Sequence, residues 1–178
     1  VTVVVVVGTI NAINFVDGLD GLAAGIIGIG SLAFFAFAYL LSVDSGIDRA
    51  TTAALLSAIL AGLCAGFLPH NFNPARIFMG DGGALLLGLL MAASTISVGG
   101  SQNESFSGQV YFFFAPLFIP LFILGVPIID TLFAIIRRAS RRSGVATADK
   151  EHLHHRLMRL GHGQRRAVLI LWAWTAAL

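Results

Sequence analysis

Long apolar intervals broken by short polar clusters organise this chain of 178 residues. A run of valines at 3–7 opens it, and stretches without Asp, Glu, Lys or Arg cover 21–43, 50–75, 82–103 and 105–129. Each exceeds the roughly 20 residues a helix needs to cross the hydrocarbon core of a bilayer. The pattern predicts an all-α, polytopic membrane helical bundle with segments at 1–13, 22–41, 51–68, 84–98, 110–136 and after Arg166. The first and last fall short of a full span, so both are expected to be truncated helices and the chain a fragment of a larger protein. The second segment is aromatic at its middle, with Phe34, Phe35, Phe37 and Tyr39. Gly62, Gly66 and Gly88 lie where the third and fourth segments would allow close helix contact. Pro116, Pro120 and Pro127 predict a kinked or broken fifth helix.

Composition agrees with that picture. The chain is 57% hydrophobic and only 11% charged, against about 25% charged in soluble domains. Residues 1–178 are therefore expected to form a single transmembrane unit. Cys64 is the one cysteine, so no internal disulfide can form, and its apolar setting marks it as a packing residue. No signal-peptide pattern is visible.

Successive crossings sort the connections by side. Those at about 14–21, 69–83 and 137–166 fall together, opposite 42–50 and 99–109. Ten of the eleven Lys and Arg residues belong to the first group, and only Arg49 to the second. The excess of positive charge makes the first side cytoplasmic. Every unusual polar cluster lies on that side.

The first cluster is NAINFVDGLDGLAAG, with Asn11, Asn14, Asp17 and Asp20 at steps of three. Two carboxylates and two amides at the end of an apolar segment are costly unless used. Steps of three drift about 60° around a helix, so the four cannot share one face. Gly18 and Gly21 are expected to break the helix and let the acids converge. Oxygen ligands of this kind suit a hard divalent cation, Mg²⁺ first. The structural alternative makes Asp20 the N-cap of the helix that follows.

The second cluster, HNFNPARIFMGDGGALLLG, sets Asp81 among glycines just before an apolar span. A helix beginning at about Gly83 would aim its positive end at whatever Asp81 holds, an arrangement suited to a diphosphate. The alternative again is a simple N-cap. Phe78 reads as core or interface, or, more sharply, as a stacking platform for a base.

The third cluster, ADKEHLHHRLMRLGHGQRR, packs His152, His154, His155 and Arg156 into one short stretch. A zinc site is poorly served by adjacent histidines, whereas phosphate binding by His and Arg is natural. A solvated basic loop is the plainer alternative. Arg137, Arg138, Arg141 and Arg142 suit anchoring at anionic headgroups. Asp130, seven residues before Arg137, suits either a functional role or pairing with an arginine.

Together these blocks resemble the polyprenyl-phosphate N-acetylhexosamine-1-phosphate transferases, the group of MraY, WecA and TagO. The matching pieces are NAINFVDGLDGLAAG, NPARIFMGDGGALLLG and VPIIDTLFAIIRR…ADKEHLHHRL. The H-x-H-H-R form at 152–156 is closer to the WecA and TagO branch. The resemblance implies a phosphotransferase in a bacterial plasma membrane. It would move N-acetylhexosamine-1-phosphate, GlcNAc-1-phosphate above all, from a UDP-sugar to undecaprenyl or decaprenyl phosphate and release UMP at the cytoplasmic face. It implies Mg²⁺, with Mn²⁺ as a substitute, held by Asp81 with Asn14 and Asp17. Asp17 and Asp81 are then the catalytic pair, Asp20 and Phe78 hold the uracil, and Asn11, His152, His154, His155 and Arg156 face phosphates or sugar. UDP-N-acetylhexosamine, polyprenyl phosphate, the bilayer and a second copy of the chain are the expected partners; nucleic acid is not.

Two departures stand out. The family reads GDxGS where this chain has GDGGA, so Ala84 replaces a hydroxyl. The family's adjacent Asp pair and nearby lysine belong to its N-terminal half, and no such pair occurs in these residues, so the chain alone is expected to be inactive. An ion-coupled transporter is the rival class. It would more often place acids in mid-span and show internal repeats, neither of which is evident. The identity of the hexosamine, the lipid length and the glycan pathway stay open.

Overall fold

In the computed structural model, residues 2–45, 48–99 and 163–177 are described, and within them the chain is all-helical. The helices are α1 (Thr2–Val16), α2 (Leu22–Ser45), α3 (Asp48–Asn71), α4 (Gly80–Gly99) and α5 (Gln164–Ala177). Three of them are long and apolar enough to cross a membrane, over Leu22–Asp44, Ala50–Asn71 and Gly80–Val98. The expected fifth span at 110–136, with its prolines and Asp130, lies outside the described residues.

The helices run further than the apolar runs suggested. α1 ends at Val16 rather than 13, α3 continues through Pro69 to Asn71, and α4 begins at Gly80 rather than Gly83. Small polar residues near a helix end need not terminate it when the helix itself supplies their partners. The Asn11 amide, for example, donates to the Val7 carbonyl at 2.7 Å. The connections on the polar side therefore shrink to 17–21 and 72–79.

These helices are apolar nearly all round, as expected where lipid rather than water faces the outside. Leu32, Leu55, Ile59, Leu63, Leu86 and Leu89 point outward from α2, α3 and α4. The buried serines and threonines find partners within their own helix. Ser31 donates to the Ile27 carbonyl at 2.6 Å, Ser57 to Ala53 at 2.7 Å, Thr95 to Ala92 at 2.8 Å and Thr175 to Leu171 at 3.0 Å. No donor is then left facing hydrocarbon at these positions, at the cost of slight local bending.

α2 packs along α3, α1 along α4, and α3 along α4, with α5 against α2. Two hydrogen bonds fix α2 and α3 as antiparallel. Gly21 N–H reaches Asn71 Oδ1 at one end, and Ser42 pairs with Thr51 at 2.7 Å at the other. The principal core joins Ile13 and Val16, Leu22, Ala23, Ile26 and Ile27, Leu60 and Cys64, Ala84, Leu87 and Met91, and Val168 and Leu171. All lie beneath the end where residues 17–21 and 72–79 meet. A smaller cluster of Phe34, Ala38, Ala53 and Ala54 serves the far end. Cys64 is indeed a buried packing residue.

Close approach depends on three glycines in particular. A Cβ at Gly88 would lie 2.6 Å from Ile10 Cα, so α1 and α4 touch backbone to backbone there. A Cβ at Gly25 would fall within the Trp172 indole, which also packs its ring 5.6 Å from that of Phe72. At Gly28 the neighbour is Cys64 Cβ, at 3.2 Å. Gly62 and Gly66, expected to mediate helix contact, instead face open space among the described residues. Both are exposed on α3, away from its described neighbours.

This contrast can be measured. Gly88→Ala should destabilise the protein by about 1–3 kcal/mol, because the obstacle is backbone rather than a movable side chain. Gly62→Ala should be neutral or stabilising by up to about 1 kcal/mol through helix propensity. Reversible unfolding in detergent micelles checks both, and equal losses at the two sites would contradict the packing described.

Candidate active site

The chain leaves α1 through a tight sequence of turns. Asp17 N–H still reaches back to the Ile13 carbonyl at 3.2 Å, Gly18 N–H bonds the Val16 carbonyl at 2.7 Å, and Leu22 N–H bonds the Leu19 carbonyl at 3.0 Å. Gly21 closes the turn with φ of 79°, a left-handed value that a side chain disfavours. Phe72 also crowds the position, since its Cδ2 would stand 3.1 Å from a Cβ. The glycines thus break the helix as their spacing predicted, and Asp17 and Asp20 emerge on a loop of five residues, 17–21.

Opposite them, residues 72–79 fold back on the end of α3. The His70 carbonyl accepts from Arg76 N–H at 2.8 Å and from Ile77 N–H at 3.2 Å. Asn71 is only 3% exposed, and its amide bridges two segments. Its Oδ1 accepts from Gly21 N–H at 2.9 Å and its Nδ2 donates to the Ile77 carbonyl at 3.0 Å. The loop then enters α4 through Gly80, whose φ is 63°. Asp81 sits in the first turn of α4 rather than ahead of it, beside the unpaired N–H groups and the positive end of the helix dipole.

Asp20 does not cap α2. Its Oδ2 accepts from Asn73 Nδ2 at 2.9 Å and from Ala75 N–H at 3.2 Å, which ties the first loop to the second. The turns that start α2 bring the Leu22 N–H to Leu19 and the Gly21 N–H to Asn71, so the carboxylate is drawn across to the neighbouring loop. α5 joins the same assembly, with Gln164 Oε1 accepting from Asn73 Nδ2 at 2.9 Å and Arg165 Nε donating to the Asn73 carbonyl at 2.7 Å. One polar end of the bundle therefore gathers the starts of α2, α4 and α5 and the ends of α1 and α3. That is the grouping of connections that alternate crossing predicted.

Asp17, Asp20 and Asp81 come close enough to repel. Burial raises the Asp17 carboxyl above the ordinary aspartate range, and the negative charges of Asp81 and then Asp20 push it the same way. Asp17 and Asp20 are half-buried, whereas Asp81 is exposed. Among the described residues no three His, Cys, Asp or Glu side chains converge tightly enough to form a ready-made metal cage. The donor set still fits a hard cation that keeps several waters and shares substrate phosphate oxygens. One or two carboxylates suffice for such an ion, and their mutual repulsion marks a place where added positive charge would be stabilising.

The remaining expected residues are placed as follows. Asn14 is half-buried on the last turn of α1, and Asn11 is exposed one turn earlier. Phe78 projects its ring outward, 75% exposed, two residues before α4. His152, His154, His155 and Arg156 lie outside the described residues. Asn71, Asn73, Gln164 and Arg165 were not singled out from sequence. The N-F-N-P string carried the only signal, two amides around a turn before proline.

Glycosyl transferase family 4 matches residues 1–99 of the chain, which include all three of these acids. The chain is 44% identical over 153 residues to the decaprenyl-phosphate N-acetylglucosaminephosphotransferase of Mycolicibacterium smegmatis, covering 84% of this chain and 38% of that protein. It is 45% identical over 149 residues to the protein of that name from Mycobacterium tuberculosis, covering 82% and 37% respectively. A probable undecaprenyl-phosphate N-acetylglucosaminyl 1-phosphate transferase of Bacillus subtilis is 44% identical over 117 residues, covering 66% and 30%. The chain thus spans well under half the length of the curated relatives it matches. With a helical membrane bundle whose acidic loops fall within the matched residues, the chain belongs to glycosyl transferase family 4.

Proposed function

We propose that the protein containing this chain transfers N-acetylglucosamine-1-phosphate from UDP-N-acetylglucosamine to a polyprenyl phosphate and releases UMP. The observation that carries the reading is the meeting of Asp17, Asp20 and Asp81 at one membrane end of a chain this similar to proteins of that name. The excess of Lys and Arg on that side supports a cytoplasmic orientation in a bacterial plasma membrane.

In the reaction, an oxygen of the lipid phosphate attacks the sugar-bearing phosphorus of the nucleotide sugar. The bond from that phosphorus to the bridging oxygen breaks, and UMP leaves with the electron pair. Charge accumulates on a diphosphate that is already anionic, so positioning and neutralisation dominate the chemistry. Asp81, with Asn14 and Asp17, would hold the cation. A bound Mg²⁺ supplies positive charge to the phosphate oxygens.

Asp17 has a second task. A carboxylate at this place can orient the lipid phosphate and accept its proton. Asp20, with Oδ2 held by the 73–75 loop, offers its other oxygen to the uracil N–H. The outward ring of Phe78 offers the base a stacking face. The amide of Asn11, and His152, His154, His155 and Arg156, would serve the phosphates and sugar. A second copy of the chain is a further partner under this reading.

Membranes carrying the whole gene product, given labelled UDP-N-acetylglucosamine, polyprenyl phosphate and Mg²⁺, should form lipid-linked label. Asp81→Ala and EDTA should each abolish it, and Asp17→Asn should lower kcat by about 10²–10⁴-fold. Label formed equally by wild type and Asp81→Ala would remove Asp81 from the chemistry. No transfer by the wild type would remove the reaction itself. Phe78→Ala should raise KM for the nucleotide sugar by about tenfold, the scale of one lost base–aromatic stack, and leave kcat nearly unchanged. A loss confined to kcat would assign Phe78 elsewhere.

A further inference from the structure

Asn73 has an unusual set of partners. A carboxamide nitrogen carries two N–H donors and no more, and here both are committed. One goes to Asp20 Oδ2 at 2.9 Å and the other to Gln164 Oε1 at 2.9 Å. Those partners lie 53 residues before it and 91 residues after it. Its backbone carbonyl is engaged too, by Arg165 Nε at 2.7 Å. One residue thus ties the loop after α1 to the first turn of α5, two segments with no other hydrogen bond to each other among the described residues.

The chemistry of the junction requires an amide. Aspartate at 73 would face the Asp20 carboxylate with a second negative charge and no donor. An apolar side chain would take from the part-buried Gln164 Oε1 its bond to Asn73 and leave Asp20 Oδ2 with Ala75 N–H alone, a loss costlier than that of an exposed bond. With Ala75 N–H added at 3.2 Å, Oδ2 of Asp20 receives two donors. Two donors on one oxygen fix the plane of the carboxylate and leave Oδ1 as its available acceptor.

We propose that Asn73 is a positioning residue that makes the Asp20 loop and the start of α5 one rigid unit, and so sets the orientation of Asp20 toward the nucleotide. The linkage stands on the geometry alone, whereas its consequence for the nucleotide rests on the proposed function. Asn73 acts through Asp20 and touches no reacting atom.

The test uses the whole gene product in lipid nanodiscs, with Asn73→Ala, Gln164→Ala and the double variant. Hydrogen exchange reads the linkage, and steady-state transfer from UDP-N-acetylglucosamine reads its consequence. Gln164→Ala removes no hydrogen bond given for residues 17–22, yet it should speed exchange there as well as at 72–77. Asn73→Ala should do so more strongly and raise KM for the nucleotide sugar by about tenfold, as expected for a lost hydrogen bond to a charged group, with kcat within about threefold. The double variant should resemble Asn73→Ala, because the two changes break one chain of bonds. Unchanged exchange at 17–22 in Gln164→Ala, or single effects that multiply in the double variant, would overturn the linkage. Faster exchange with an unchanged KM would overturn the positioning role and leave the reaction standing. Absence of transfer by the wild type would overturn the nucleotide consequence, with the exchange arm still deciding the linkage. Should Asn73→Ala fail to fold, Gln164→Ala, at a half-buried position in the first turn of α5, reads the Asn73–Gln164 bond.

Discussion

The buried amide of Asn71 holds the polar end of this bundle together. It satisfies one backbone donor at Gly21 and one backbone acceptor at Ile77, from segments that the sequence separates widely. In a membrane protein the ends of helices are where backbone groups lack partners, and hydrocarbon supplies none. A single side chain that serves the start of α2 and the approach to α4 therefore fixes where both loops lie. Gly21 must be glycine because that bond requires a left-handed backbone pressed against Phe72.

From that constraint follows the electrostatic character of the site. Asp17 and Asp20 share the loop 17–21, whereas Asp81 opens α4, and nothing local to that loop would bring Asp81 to it. Once the loops are stapled, burial and mutual repulsion raise the Asp17 carboxyl. An arrangement of this kind is unfavourable in isolation and becomes favourable when positive charge arrives with a phosphate ligand. The core of Ile13, Ile26, Leu60, Leu87 and Val168 lies directly under the loops and supplies the rigidity that holds the acids at this separation.

Much of the site was legible from residue type and spacing. Glycines at 18 and 21 marked the end of α1, Asp81 among glycines marked the start of α4, and alternate crossing put both on one side. Helix ends were less legible. Asn14 read as the first loop residue because amides disfavour an apolar environment, whereas α1 carries it as far as Val16, and Asn11 before it satisfies its amide on the Val7 carbonyl. Gly62 and Gly88 are alike in sequence, and among the described residues only Gly88 is a contact. The difference is the direction each faces, which helices apolar on all sides do not encode.

By itself, the sequence determined the class of the protein: long charge-free runs, too apolar for water, must become membrane helices because the backbone has no other way to be satisfied there. It also determined which chemical groups stand at the polar end, since those groups are costly anywhere else. Tertiary structure alone decided how they are held. The Asp20 carboxylate turns away from its own helix to Asn73 and Ala75, and Asn73 reaches on to Gln164, through bonds spanning 53 to 91 residues. Such pairings leave no periodic trace in a sequence, because a hydrogen bond depends on where two atoms meet in space and not on how far apart they lie along the chain.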